Sequence, residues 1–542
     1  MTEQELKRLR TEFPILSTRV GREHLAYFDN AATTQKPRVV IDALTNYYRK
    51  HNANVHRAAH YLAAEATQAY EAARKRVADW LNVEAREIVW TRGTTEAINL
   101  VAQTFLAPKL CAGDRILLLV SNHHANILPW QQIAKTRGAQ LDVVGLTETG
   151  DLDLHQYAEQ LKQRPKMVAL THVSNALGTI YPIAEMVTQA KEAGAYVLVD
   201  GAQAVAHFDV DVKAMNADFY TFSGHKTFGP TGIGVLFGRY ELLEAMPPWQ
   251  TGGEMIEHVS FDEAVYAAPP LRFEAGTPNI SGAIALDAAL QYLQQRDRTA
   301  LEAHEQRLIR RAETALQDLP GVHLLPTGSE RVALLSCTFE QFQVADVAAY
   351  LDSRGIAVRA GHHCAQPLLQ ALNIDASLRI SFAFYNTEQE VDSLVSAVKE
   401  LLLQPYRSSQ DDLETLVTQV YEAADWPSRF SSLMRLAAGL PPVATDLRAP
   451  EWEVFGCATR TWMRIERDTS EKIHLQTDAQ SRLMQGLLYL IAHEVNGKQV
   501  EQINVEQVED RLIELGFASQ LSQTRGNAIR HLLSHLRSLI AG

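Results

Sequence analysis

Cysteine is scarce in this chain of 542 residues: there are four, at positions 111, 337, 364 and 457, and no two lie close together. A disulfide scaffold or a structural zinc site needs paired thiols at short spacing, so neither is expected. A cysteine with a special task should instead be sought as a single thiolate. Positive charge is also in short supply, with 51 Lys and Arg against 64 Asp and Glu, a formal charge of −13 and no basic stripe. That balance argues against nucleic acid as a partner. Long apolar runs are missing as well. The opening residues Met1-Thr2-Glu3-Gln4-Glu5-Leu6-Lys7 lack a signal-peptide core and no later run approaches a membrane span, so no membrane contact is expected and the compartment read from the sequence is cytoplasmic. What is present is a globular composition, 46% hydrophobic and 21% charged. The length predicts two or three domains.

From about residue 20 to 265, apolar runs at 115–120, 167–170 and 196–199 alternate with helical patterns, which predicts an α/β layer on a mainly parallel sheet. After Pro269-Pro270 a long helical stretch precedes strand-like runs at 332–337, near 356–359 and at 378–382. These, with the N-terminal segment, predict a smaller α+β domain over about 266–403, which closes a unit spanning 1–403. The polar, proline-containing stretch 404–411 reads as a linker. Residues 412–542 then form a separate α+β module, in which Leu483, Leu487, Leu490 and Ile491 mark one helical face and Ile529, Leu532, Leu533, Leu536 and Ile540 mark a closing helix.

The most informative segment is Asp218-Phe219-Tyr220-Thr221-Phe222-Ser223-Gly224-His225-Lys226, which follows the apolar run ending in Asp200. An electron-sink cofactor of the pyridoxal 5'-phosphate type needs a lysine for its Schiff base and a carboxylate to keep the pyridine nitrogen protonated. Lys226 and Asp200 supply such a pair. Asp200 should project at the carboxyl end of a buried strand, where open α/β sheets bind ligands. Arg92-Gly93-Thr94-Thr95-Glu96 opens a helix, with Ile98, Val101, Ala102 and Phe105 at helical spacing. Its free N–H groups and two hydroxyls make a phosphate cradle, although a plain helix cap by Thr94 or Thr95 would read the same way. Ser223 and His225 beside Lys226 favour the cradle, and His123, after the strand ending at Val120, is placed to cover a ring.

Eight ordered segments carry a resemblance to a known family: Asp29-Asn30-Ala31-Ala32-Thr33, Asn54-Val55-His56-Arg57, Arg92-Gly93-Thr94-Thr95-Glu96, His123-His124-Ala125-Asn126, Asp200-Gly201-Ala202-Gln203, Ser223-Gly224-His225-Lys226, Gly276-Thr277-Pro278-Asn279 and Arg359-Ala360-Gly361-His362-His363-Cys364-Ala365-Gln366-Pro367. Over roughly its first three quarters the chain resembles the fold-type-I cysteine desulfurases of the type II group that includes the SufS and CsdA desulfurases. The resemblance implies a fold-type-I pyridoxal phosphate transferase with Lys226 holding the cofactor, Asp200 on its ring nitrogen, Gln203 on its ring oxygen and His123 stacked on it. It also implies Thr94, Thr95, Ser223 and His225 at the phosphate and Thr277 reaching the other subunit's phosphate in a homodimer. Asn122 departs from the acidic residue usual before His123.

For the chemistry, the resemblance implies that Cys364 takes sulfur from L-cysteine as a persulfide and releases alanine, while Arg379 clamps the substrate carboxylate with Asn175 and Arg359 as further contacts. A loop-like, polar setting suits a reactive thiolate at Cys364, whereas Cys337 and Cys111 read as inert and buried. The C-terminal module resembles the SufE or CsdE sulfur acceptors through Val454-Phe455-Gly456-Cys457, a strand containing Trp462, Arg482-Leu483-Met484-Gln485-Gly486-Leu487-Leu488 and Leu521-Ser522-Gln523-Thr524-Arg525. Its departures are Ala458-Thr459 after the cysteine and Gln480 in place of an acidic residue. That likeness implies a relay in which Cys457, supported by Arg525, accepts sulfur from Cys364 and feeds a downstream acceptor or iron–sulfur scaffold. A selenocysteine lyase of the same fold and a non-catalytic sulfur carrier remain as alternatives.

Overall fold

Short runs rich in Val, Leu, Ile and Phe can be strands only if helices cover both faces of their sheet. In the computed structural model, which describes residues 1–57, 59–403, 412–440, 445–455, 459–517 and 523–541, seven such runs form one sheet. They are β1 (Ile88–Thr91), β2 (Arg115–Leu119), β3 (Gln140–Val144), β4 (Met167–Thr171), β5 (Tyr196–Asp200), β6 (Phe219–Ser223) and β7 (Gly234–Gly238), in the order β1-β7-β6-β5-β4-β2-β3. Only β7 runs against the rest, lying antiparallel between β6 and β1. Thr91, Leu119, Thr171, Asp200 and Ser223 therefore end their strands along one edge. Alternate residues feed two cores: Leu117, Val168, Val199 and Phe222 on one face, Ile116, Ala169, Leu198 and Phe219 on the other.

Helices α1 (Arg38–Asn46), α2 (Tyr61–Leu81) and α3 (Thr94–Leu100) belong to this layer, and so does α4 (Ile280–Gln294), which packs along α1 and α2. Ile280, Ala283, Leu286 and Leu290 of α4 enter the same core as the sheet. The passage into the small domain, expected near residue 266, thus comes after Gln294, because the apolar face of α4 is matched by large-domain helices. The expected start near residue 20 also moves. Ala26–Tyr27 pairs in parallel with Ile356–Ala357 and Asp29 bridges to Ser381, which ties this segment to the small domain.

The small domain is an antiparallel sheet of β8 (Val322–Leu324), β9 (Leu334–Phe339), β10 (Arg359–Gly361) and β11 (Ser377–Ser381), in the order β8-β9-β11-β10. Helices α5 (Arg298–Gln317), α6 (Val344–Ser353) and α7 (Glu388–Leu402) share a core with Leu335, Cys337, Leu378 and Ile380 on one face. The opposite face turns Ser336 and Arg379 toward the large domain, where they donate to the carbonyls of Ala176 and Asn175.

The C-terminal module contains α8 (Leu413–Glu422), α9 (Trp426–Gly439), the antiparallel pair β12 (Thr461–Arg467) and β13 (Ile473–Ala479), α10 (Arg482–Val495) and α11 (Gln523–Ala541). Leu483, Leu487, Leu490, Ile491, Ile529, Leu532, Leu533 and Leu536 are buried, with Ile540 packed at the margin of the same core. Cys457 and the expected linker 404–411 lie outside the described residues, and Arg525 falls in the first turn of α11 with its side chain likewise outside them. No helix among the described residues is long and apolar enough to cross a membrane.

Candidate active site

The loops leaving the carboxyl edge of the large sheet, together with the inner face of the small domain, enclose a cavity of about 230 Å³. Its lining includes Thr94, Thr95, His123, Asn175, Asp200, Gln203, Ser223, His225, Lys226, Arg359, Cys364 and Arg379, so nearly all the site residues expected from the sequence come together. Thr277 does not. It is exposed in a separate surface cleft with Arg92, Glu96 and Trp249.

Strand β6 ends at Ser223 and the chain turns tightly through Gly224–Lys226. One carbonyl fixes this turn: the oxygen of His225 accepts from Thr33 Oγ1 at 3.0 Å, Thr34 N at 3.1 Å, Thr34 Oγ1 at 3.2 Å and Lys36 Nζ at 2.9 Å. Lys226 is thereby held half-buried in the cavity wall. Loss of hydration lowers its pKa to about 8, with Asp200 pulling the other way. Asp200 is buried at the end of β5, accepts from Ala202 N at 3.0 Å, and is itself raised by burial. Glycine is required after it, since a Cβ at Gly201 would stand 2.0 Å from the Tyr220 hydroxyl.

At the start of α3, where the sequence predicts a phosphate cradle, Thr94 N donates to Ser223 Oγ at 2.9 Å and the two hydroxyls lie 3.0 Å apart. Strand β7 can pass behind this turn because a Cβ at Gly234 would fall 2.4 Å from the Gly93 Cα. His225 adds an imidazole that burial keeps neutral, with its pKa near 4. His123, also in the cavity lining, accepts from Ala125 N at its Nδ1 at 3.1 Å, which leaves the ring proton on Nε2. Burial and then the Lys226 charge lower its pKa to about 3, so it is a neutral ring.

Asn122, the departure before His123, lies under this loop and is fully buried. Its amide donates to the carbonyls of Asn126 and Ala169 and its oxygen accepts from Thr171 Oγ1. A carboxylate could not make those two donations, so Asn122 ties the His123 loop to the sheet and keeps charge out from beneath it.

From the small domain, Arg379 is buried and donates to Asp29 Oδ1 at 2.9 Å and to the Asn175 carbonyl at 3.0 Å. Its Nε, like Asn175 Oδ1, is buried without a hydrogen-bond partner among the described residues. Such atoms are costly unless a ligand satisfies them. Arg359, its cross-strand partner, is more exposed and lies 3.8 Å from Asp29. Cys364 is exposed on a loop where both His363 and Cys364 have φ near the left-handed region, 53° and 54°. That costly conformation is held by the Cys364 carbonyl accepting from His124 N at 2.8 Å and the His363 carbonyl accepting from Asn175 Nδ2 at 2.6 Å. Burial lowers the pKa of Arg379, with Asp29 pulling the other way. Cys337, in contrast to Cys364, is buried on β9 and pushed up to about 12. Cys111 is exposed rather than buried, because it sits in the turn before β2.

Sequence reasoning left Asp29, Lys36 and His363 without roles. Asp29 orients Arg379, Lys36 supports the Lys226 turn and buried His363 anchors the cysteine loop on Ser377. The segment beginning at Asp29 was singled out for its pattern, but no local signal pairs it with a residue 350 positions away.

A family model described as Aminotransferase class-V matches residues 26–394, and one described as Fe-S metabolism associated domain matches residues 414–540. The chain is 49% identical over 398 residues to a cysteine desulfurase of Synechococcus elongatus, covering 73% of this chain and 64% of that protein, just under two thirds of its length. It is 47% identical over 394 residues to a probable cysteine desulfurase of Vibrio cholerae, covering 72% of this chain and 97% of that one. The crystal structure of the cysteine desulfurase CsdA from Escherichia coli superposes with a TM-score of 0.68 at 43% identity, over 73% of this chain and 98% of that one. The chain belongs to the class-V aminotransferase family, among its cysteine desulfurases, and carries a C-terminal SufE domain.

Proposed function

We propose that the chain converts L-cysteine to L-alanine with pyridoxal 5'-phosphate, collects the sulfur on Cys364 and passes it to Cys457 for iron–sulfur cluster or other thio-cofactor assembly. The observation that carries this reading is one cavity holding a lysine amine, a buried carboxylate, an arginine with a free buried donor and an exposed cysteine. The donor set suits the cofactor: Thr94, Thr95, Ser223 and His225 for its phosphate, Asp200 for its ring nitrogen, Gln203 for its ring oxygen and His123 for its face. When bound, the cofactor supplies the electron sink that loosens the bonds at the substrate's α- and β-carbons.

Lys226, with its depressed pKa, is free to take a proton from the substrate and return one near neutral pH. Arg379 Nε, with Arg359 and Asn175 beside it, receives the carboxylate and orients the substrate's sulfur toward the Cys364 loop. The Cys364 thiolate then attacks that sulfur, the carbon–sulfur bond breaks with its electron pair passing to carbon, and a persulfide remains on Cys364. Thr277 lies away from its own Lys226 cavity, which favours a homodimer in which it serves the partner's phosphate site. A relay of free thiols suits a reducing compartment, the cytoplasm.

Exposure to L-cysteine followed by alanine quantification and mass spectrometry of the cysteine-containing peptides tests this reading. Stoichiometric alanine and one added sulfur atom on Cys364, then on Cys457, are expected. Alanine from L-selenocysteine alone, or no alanine from the cofactor-loaded protein, would overturn it.

A further inference from the structure

The C-terminal module does not merely hang from a linker. Asp346, in the first turn of α6 on the small domain, is fully buried, and each of its carboxylate oxygens takes a donor from the module: Ser481 Oγ at 2.5 Å and Arg482 N at 2.8 Å. Ser481 is also the cap of α10, accepting from Met484 N, so the carboxylate sits at a helix N-terminus where the macrodipole favours it. Around this point the Arg482 guanidinium lies 4.5 Å from the Phe342 ring centre, Tyr350 and Phe430 have ring centres 5.8 Å apart, and one apolar core runs through both domains. Pulling the module away would break both hydrogen bonds and expose the apolar side chains of the shared core to water, which opposes separation.

The clamp also has a direction. Helix α6 reverses through Arg354-Gly355 into Ile356–Ala357 and β10, and packs against both. Its 10 residues rise about 15 Å and the six residues 356–361 extend roughly 20 Å, so the first turn of α6 lies beside the strand end that continues to Cys364. On the module, Ser481 directly follows the end of β13, where Ala479 pairs with Thr461, Gln480 N donates to the Arg460 carbonyl and Val454 N donates to the Thr461 carbonyl. Both ends of the segment bearing Cys457 are tied to that strand end, and Cys457 is three residues from Val454 and from Arg460, a reach of at most roughly 11 Å.

We propose that Asp346 and the N-terminus of α10 form a docking clamp that seats the module on the small domain of its own chain, acceptor end toward the Cys364 loop, so that sulfur passes within one subunit. This rests on the desulfurase-relay reading above. In the transfer, the Cys457 thiolate attacks the outer sulfur of the Cys364 persulfide, the S–S bond to Cys364 breaks and its thiolate leaves. The sulfur remains on Cys457 as a persulfide, and no external oxidant or reductant is consumed.

The test uses the full-length, cofactor-loaded chain in single-turnover sulfur transfer followed by mass spectrometry, with hydrogen exchange measured in parallel. Asp346→Arg should leave sulfur loading of Cys364 at the wild-type rate, slow its arrival on Cys457 by about tenfold or more, and raise exchange in the first turns of α6 and α10. Ser481→Ala, a milder change, should move all three readouts in the same directions and covers the case in which the arginine variant fails to fold. Dimers assembled from Cys364→Ser and Cys457→Ala chains should show almost no sulfur on Cys457. Wild-type transfer in both clamp variants, unchanged exchange, or efficient loading of Cys457 in the mixed dimers would overturn the proposal. Failure of wild-type Cys364 to load at all would instead sink the desulfurase reading, while exchange would still report on the clamp.

Discussion

At the scale of single residues, Lys226 shows how the fold tunes a side chain whose type alone says little. An ordinary lysine near pH 8 is neutral in roughly one molecule in three hundred, whereas one with its pKa near 8 is neutral in about half. Since only the neutral amine attacks an aldehyde, cofactor uptake by the apoprotein should accelerate as pH rises to about 8 and then level off. Stopped-flow absorbance would record this, and a rate still climbing beyond about pH 10 would contradict it. Arg379→Lys keeps the charge but loses the planar fork that reaches Asp29, Asn175 and a ligand together. Its kcat/KM for L-cysteine should fall by roughly 10- to 100-fold with cofactor affinity nearly unchanged, as steady-state kinetics and absorbance titration can separate. That Lys226, Asp200 and Cys364 would meet in one cavity was legible in the sequence, for the first two from the strand-end and Ser-Gly-His-Lys motifs and for Cys364 from the family resemblance. The service of Asp29 to Arg379 was not, since it exists only once the small-domain sheet has formed.

At the scale of elements, the parallel strands were readable because each is a continuous apolar run between polar turns, as doubly covered strands must be. Antiparallel β7 and the placement of α4 were not, because pairing partners and packing faces are set by tertiary contact. The same limit hides the tie between α2 and β1. Arg74 of α2 and Glu274 are 2% and 5% exposed, and form a two-pronged ion pair at 2.7 and 2.9 Å. Glu274 also accepts from Trp90 N on β1, and Arg74 donates to the Ile88 carbonyl. This knot fixes the strand that leads into the Gly93–Thr94 turn. Replacing Arg74 with Met would strand the Glu274 carboxylate and should cost about 3–5 kcal/mol, whereas removing both charges together should cost much less. Thermal or denaturant unfolding of the single and double variants would check this, and equal losses in the two would refute the account.

At the scale of the whole molecule, the decisive contrast is between a module that is only tethered and one that is seated. A tether alone makes transfer intramolecular but leaves orientation to chance, whereas the Asp346 seat and the shared apolar core restrict it. Cys457→Ala should therefore still form the Cys364 persulfide and release one equivalent of alanine, then stall without a reductant because nothing drains the sulfur. Adding the detached module, residues 412–542, should restore turnover only in proportion to its concentration, since a free module must first find the seat. In the cysteine variant that seat is already filled by the resident, inactive module, so rescue should remain weak until the resident is displaced. Combining Cys457→Ala with Asp346→Arg loosens the resident but damages the seat as well, so rescue should stay weak. Combining Cys457→Ala with Ser481→Ala leaves Asp346 intact while weakening the resident's hold, and rescue should improve. Alanine production measured across module concentrations in the three backgrounds gives the order, and equal rescue in all three would mean that the seat plays no part in sulfur delivery.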